Sequence, residues 1–248
     1  MEEGRKLQNA HLMLIFPDEI DFLNSPLISA ENREYAEDEL MDSSLFLHKF
    51  QQEKMLTDFK MEMKNLLHEY GFQTYSTAEW DSFLNHSEKA FIIDFNQLQL
   101  EEILFTHLDE EAMPDGYTYK QEFVIDGLAF NSWIAISTAN DTNLLKNTIF
   151  CETVLKDHIE GLFLMNNISG EVYYDYNFKP LSEEEILDIV PNAAIDISLN
   201  IMDFIINNSL EKNLLKQRGV YPERFWRYIP SRAKPSPSYD RSGYIIVE

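Results

Sequence analysis

The chain has 248 residues, 44% of them hydrophobic and 13% aromatic, too apolar for a chain disordered throughout and long enough to bury roughly three-quarters of its unfolded surface without a metal or disulfide. Its 43 acidic and 20 basic residues leave a net charge of −23, the wrong sign for conventional binding to nucleic acid or an anionic membrane, which needs clustered Lys and Arg. One cysteine excludes an intrachain disulfide, and Cys151, in the run Ile149-Phe150-Cys151, reads as a small buried hydrophobe.

Leu12-Met13-Leu14-Ile15-Phe16, stopped by Pro17-Asp18, predicts a short strand buried on both faces. From about Glu34 to Tyr70 the pattern is helical. Leu56, Phe59, Met63, Leu67 and Tyr70 recur at three- and four-residue spacing, and Gly71 supplies the left-handed stop. Phe72 to Tyr75 predicts a second short strand. Ser76-Thr77-Ala78-Glu79 is a capping box opening a short helix, and Ala90 to Leu100 a long strand.

Asp126-Gly127 predicts a two-residue hairpin turn. That register pairs Ile125 with Leu128 and Phe123 with Phe130, and continues to Tyr117 with Ile136. Strands over about 148–155, 161–165 and 171–178 extend it into an antiparallel meander, with Ser169-Gly170 as a turn. Ser182-Glu183-Glu184-Glu185 is a second capping box. The stripe Ile186, Val190, Ala194, Ile197, Ile201 and Phe204 then carries a helix to about Asn208, with Pro191 kinking or splitting it. Residues 212–248 hold eight basic and three acidic groups, a Pro-rich tail closing on the strand Tyr244–Val247. No run reaches the ~20 apolar residues of a membrane span.

No chemistry announces itself. The six histidines are scattered without metal-ligand spacing, and there is no Gly-rich phosphate loop and no G-x-S-x-G elbow. The expectation is no metal, no cofactor and no catalytic residue. Glu101-Glu102 and Asp109-Glu110-Glu111 would serve a hydrolase working with paired carboxylates, but with 43 acids some pair meets that spacing by chance. Asp94 and Asn96 interrupt an apolar strand row, as a bulge or as a ligand-facing polar pair. Arg224, Phe225, Trp226, Arg227 and Tyr228 combine the residue types that dominate interfaces. This aromatic-basic run either binds a partner or docks on its own domain.

Taken together these elements predict an α+β fold: a mixed, largely antiparallel sheet with two long helices packed on one face. Residues 1–211 form one domain and 212–248 a tail docking on it. The stretches TAEWDSFLNHSEKAFIIDFNQLQLEE (77–102) and SLNIMDFIINN (198–208), in this order of elements, resemble uncharacterised cell-envelope lipoproteins of Bacteroidetes-type bacteria. The layout is also similar to TolB amino-terminal and PelC-like domains. The resemblance implies a periplasmic, non-enzymatic protein that binds other proteins or a surface component. The lipid-bearing cysteine of such proteins has no counterpart here, so the anchor is expected upstream of Met1, with a cytoplasmic location as the alternative. An acidic inhibitor or immunity-type protein that plugs a basic partner is a further reading.

Overall fold

The computed structural model describes residues 10–26, 42–86, 90–139, 147–218, 224–232, 234–240 and 243–247. Its centre is a seven-stranded mixed sheet in the order β11-β6-β5-β4-β1-β3, with β2 also on β4. These strands are β1 (His11–Ile15), β2 (Asp21–Asn24), β3 (Gln73–Tyr75), β4 (Ala90–Ala112), β5 (Thr118–Thr138), β6 (Asn147–Lys156) and β11 (Ile245–Val247). β1 runs parallel to β3 and β4, and β2 parallel to β4, while β5, β6 and β11 pair antiparallel.

Four α-helices are described, two of them short, in place of the two long ones expected. They are α1 (Gln52–Glu69), α2 (Trp80–Leu84), α3 (Glu183–Leu187) and α4 (Ile189–Arg218). The helix expected from Glu34 to Tyr70 is described as continuous from Gln52; Asp42 is helical and a turn follows it, and residues 34–41 lie outside the described ones. The carboxylate of Glu102 accepts the N–H groups of Leu45, Phe46 and Leu47, holding the chain in a single 3-10 turn (Leu47–Lys49), and Phe50 is extended. At the other end Gly71 takes φ 92°, the conformation a side chain resists. The later stripe divides at Asp188, and Pro191 falls in the first turn of α4, where its missing N–H costs no hydrogen bond. The Ser182 capping box opens α3 and the Ser76 box a 3-10 turn before α2.

α1 and α4 pack over one face of the sheet. Phe59, Met63 and Leu67 of α1 meet Ala194, Ile197 and Ile201 of α4 above Phe95, Leu98, Phe130, Ile134 and Ile149, all buried. The Phe59 ring lies 5.2 Å from Phe130 and edge-on to Phe95. α2 covers part of the opposite face, closing a small cluster of Met13, Phe83, Ala90 and Ile92. Ile189–Glu211 is, among the described residues, long and apolar enough to cross a membrane, contrary to the sequence expectation. Most of it is buried in this core, which is why its apolar residues run nearly all the way round.

The hairpin is not at Asp126-Gly127. β4 and β5 form one long antiparallel ribbon that turns at Met113–Tyr117, and Phe123 faces His107 while Phe130 faces Leu100. Pro114-Asp115-Gly116 makes this turn. Gly116 has φ 88°, its N–H reaches the Met113 carbonyl at 3.0 Å, and the Asp115 carboxylate takes the Tyr117 N–H at 2.9 Å. Proline fixes φ at the first corner and glycine supplies the left-handed one. Gly127 serves a different need. A Cβ there would stand 2.5 Å from the Phe105 ring and 2.6 Å from the Leu155 carbonyl, so glycine permits close approach inside a strand. β6 pairs with β5 over 127–136, but β7 (His158–Met165) and β8 (Val172–Lys179) leave the expected meander and form their own two-stranded sheet. Gly170 turns the chain between Met165 and Val172.

Candidate interaction surface

β4 and β5 pass through two environments. Up to Glu102 and from Gly127 on they are flanked by β1, β2 and β6. Between Ile103 and Asp126 they pair, among the described residues, only with each other. Strand alternation divides this arm into two faces. Phe105, His107, Tyr119 and Phe123 turn towards the β7–β8 ribbon. The Phe163 ring lies 6.0 Å from Tyr119, and Phe123 lies 5.7 Å from Tyr174 and 4.9 Å from Tyr176. Gly161 leaves space for the Tyr174 ring, whose hydroxyl donates to Asp109, itself 3.3 Å from His107. Ile125, Ile159 and Phe163 are buried, giving the arm a small core of its own.

The other face is open. Leu104 and Leu108 are each 52% exposed and Val124 65%, with Thr106, Glu110, Lys120 and Glu122 on the same side. At the root of this face lies a recess of about 250 Å³, lined by Asn24, Leu45, Phe46, Glu102, Ile103 and Asp126, among others. Glu102 is 4% exposed, with its oxygens taken up by the three N–H groups of the 3-10 turn. Asp126 accepts no hydrogen bond on its carboxylate among the described residues. Burial, and then the negative charge of Asp157, hold its carboxyl above the usual range.

No protein-family model and no curated protein matches this chain. The surface is therefore read from its own chemistry.

Arg224 to Tyr228 lie elsewhere, and four of them form β9 (Phe225–Ile229), paired with β10 (Lys234–Ser238). The preceding Tyr221-Pro222-Glu223 lies outside the described residues. Asn207 of α4 clamps Trp226 on both sides, taking its N–H at 2.9 Å and donating to its carbonyl at 2.8 Å. Asp203 takes the Tyr228 N–H at 2.6 Å, and the Tyr228 ring lies 5.5 Å from Tyr70, just past the end of α1. Arg227 faces Asp240 at 3.7 Å and Arg224 lies over the Tyr239 ring. Burial pushes the Asp203 carboxyl up to about 6, against the lowering pull of the Tyr228 N–H and Arg227. Phe225 to Tyr228 thus sit half-buried, the strand held on α4 and Tyr228 beside Tyr70, while Arg224 is exposed.

Asp94 and Asn96 mark a β-bulge. Pairing passes from Phe95–Ile134 to Gln97–Trp133, leaving exposed Asn96 with no residue opposite. The extra residue also reverses the alternation, so Phe95 and Leu98 share the core face and the row drawn from Ile92 through Asp94 and Asn96 to Leu98 does not exist. Cys151 is buried and its thiol pushed up to about 12 by desolvation, which keeps it from the thiolate form a nucleophile needs. His11 and His86 stack at 3.9 Å beside the Tyr75 hydroxyl. Among the described residues no three His, Cys, Asp or Glu are grouped to hold a metal ion.

Proposed function

We propose that this chain is a binding protein of the cell envelope, working without catalysis, and that the open face of the arm engages a protein partner. One observation carries the reading. Leu104, Leu108 and Val124 are each more than half exposed and stand together on the open face, Val124 lying opposite Thr106 between the two leucines. Exposed apolar side chains gathered in one place mark interaction sites, whereas single ones scattered over a surface need no explanation. Tyr228 and Trp226, by contrast, have their backbone groups spent on α4. The rival hydrolase reading draws nothing from the recess, since Glu102 has both carboxylate oxygens committed to backbone N–H groups.

The test is site-specific photocrosslinking in the native cell, with a photoreactive amino acid at Leu108 and, as comparison, at exposed Met61 on α1. A discrete adduct at Leu108 and none at Met61 is expected. The same adducts at both positions, or none at Leu108, would remove the arm from the function. Fractionation of the same cells tests the envelope location, which rests on the resemblance in layout.

A further inference from the structure

We infer that the partner presents a basic segment, its apolar side chains on the row Leu104–Val124–Leu108 and a Lys or Arg head group seated in the recess against Asp126; this rests on the arm being the binding surface. Three observations lead there. The first is the balance of charge: residues 101–126 carry eight carboxylates and one lysine, and that lysine, Lys120, is already paired with Glu110 at 2.6 Å. A second copy of this chain would bring like charge to like and be repelled. The arm asks for positive charge.

The second observation is the build of the recess. Leu45, Phe46 and Ile103 give it apolar walls, and Asp126 a carboxylate to which no donor among the described residues is bonded. A Lys or Arg side chain matches that division, with a methylene stem that lies on apolar surface and a charged end that seeks oxygen. The third is the state of Asp126 itself. It is partly buried near Asp157, so an arriving cation relieves repulsion already present in the free protein. Glu102, fixed by the three N–H groups, lends its negative charge to the wall without moving.

The experiment uses the full chain and two synthetic peptides, one alternating Lys with Val and one alternating Ser with Val, titrated calorimetrically at low and high salt. The Lys–Val peptide is expected to bind roughly tenfold more tightly than the Ser–Val peptide and to weaken with salt. Asp126→Asn removes roughly tenfold of that affinity, whereas Asp126→Glu keeps most of it. Glu53→Gln with Glu69→Gln on the exposed side of α1, which removes two charges elsewhere, leaves it within about twofold. Thermal melts of each variant establish that the fold is intact.

Equal binding of the two peptides, lost in Leu108→Ser but not in Asp126→Asn, would keep the arm as the binding surface and overturn the basic segment. Lys–Val binding untouched by both substitutions would overturn the inference as attraction to the overall charge, leaving the arm to be judged by the crosslinking at Leu108. A dimer on sedimentation that Leu108→Ser dissolves would make a second copy the occupant and overturn it as well.

Discussion

The same two strands behave differently in the body and in the arm. Phe130, on β5 in the body, is wholly buried beneath Phe59. Seven residues earlier on that strand, Phe123 is only half-buried, its cover the tyrosines of a two-stranded ribbon. Backbone pairing is continuous through both. What changes is the material stacked on each face, so the body is held by helices and the arm by rings. Local stability follows buried apolar contacts, and the arm is accordingly the part of this molecule free to expose apolar side chains without endangering the rest.

That contrast can be broken or sharpened by substitution. The largest effect is expected from Phe130→Ala, at about 3–5 kcal/mol in urea unfolding, with Phe123→Ala well below it. Near-equal losses would show that body and arm form one stability unit. Next comes the pH dependence of the body. The folded Asp203 carboxyl stands near 6 against an ordinary 3.8, so the fold binds a proton there that the unfolded chain releases. Its contribution is fully present below about pH 4 and is lost as pH rises through about 6, by at most about 3 kcal/mol. Asp203→Asn should flatten the unfolding free energy across that window. An unchanged slope would assign it to other groups.

Gly127→Ala tests the junction between the two regions. The new methyl would meet the Phe105 ring and, less yieldingly, the Leu155 carbonyl; about 1–3 kcal/mol is expected, read from the urea midpoint. Smallest is Leu108→Ser, within about 0.5 kcal/mol of wild type by the same measurement. A large loss there would mean that the open face is structural after all.

Much of the body was legible in the sequence because local chemistry decides it. The run Leu12–Phe16, the stripe of α1, Gly71 and the Ser182 box each act within a few residues and give the strand, helix, stop and helix start they predict, the strand lying one residue earlier, while the Ser76 box opens a 3-10 turn ahead of its helix. The turn of the ribbon is ambiguous in the sequence because two Asp-Gly pairs compete. Met113-Pro114-Asp115-Gly116-Tyr117 carries the proline that fixes the first corner, whereas at Asp126-Gly127 the glycine makes room for the Phe105 ring, a partner more than twenty residues away. The arm is hidden in the sequence for a related reason. Glu101-Glu102 reads as the end of a strand, yet alternation resumes through Leu104, Thr106 and Leu108, and strands this long are uncommon. Its tip was the available signal. Nothing local could have shown that Trp226 and Tyr228 are held by Asn207 and Asp203, since the contacts span 19 and 25 residues.

The bulge at Asn96 makes β4 tolerant in one place and brittle everywhere else. Cutting out Asn96 would let the ladder close with every later side chain still on its own side, because that residue is supernumerary. Cutting out one position between Gln99 and Ile103 would instead turn the remainder of the strand over, sending Leu104 and Leu108 inward and Phe105 and His107 out to water. Lineages carrying this fold should therefore gain or lose a residue at 96 far more readily than anywhere along the arm.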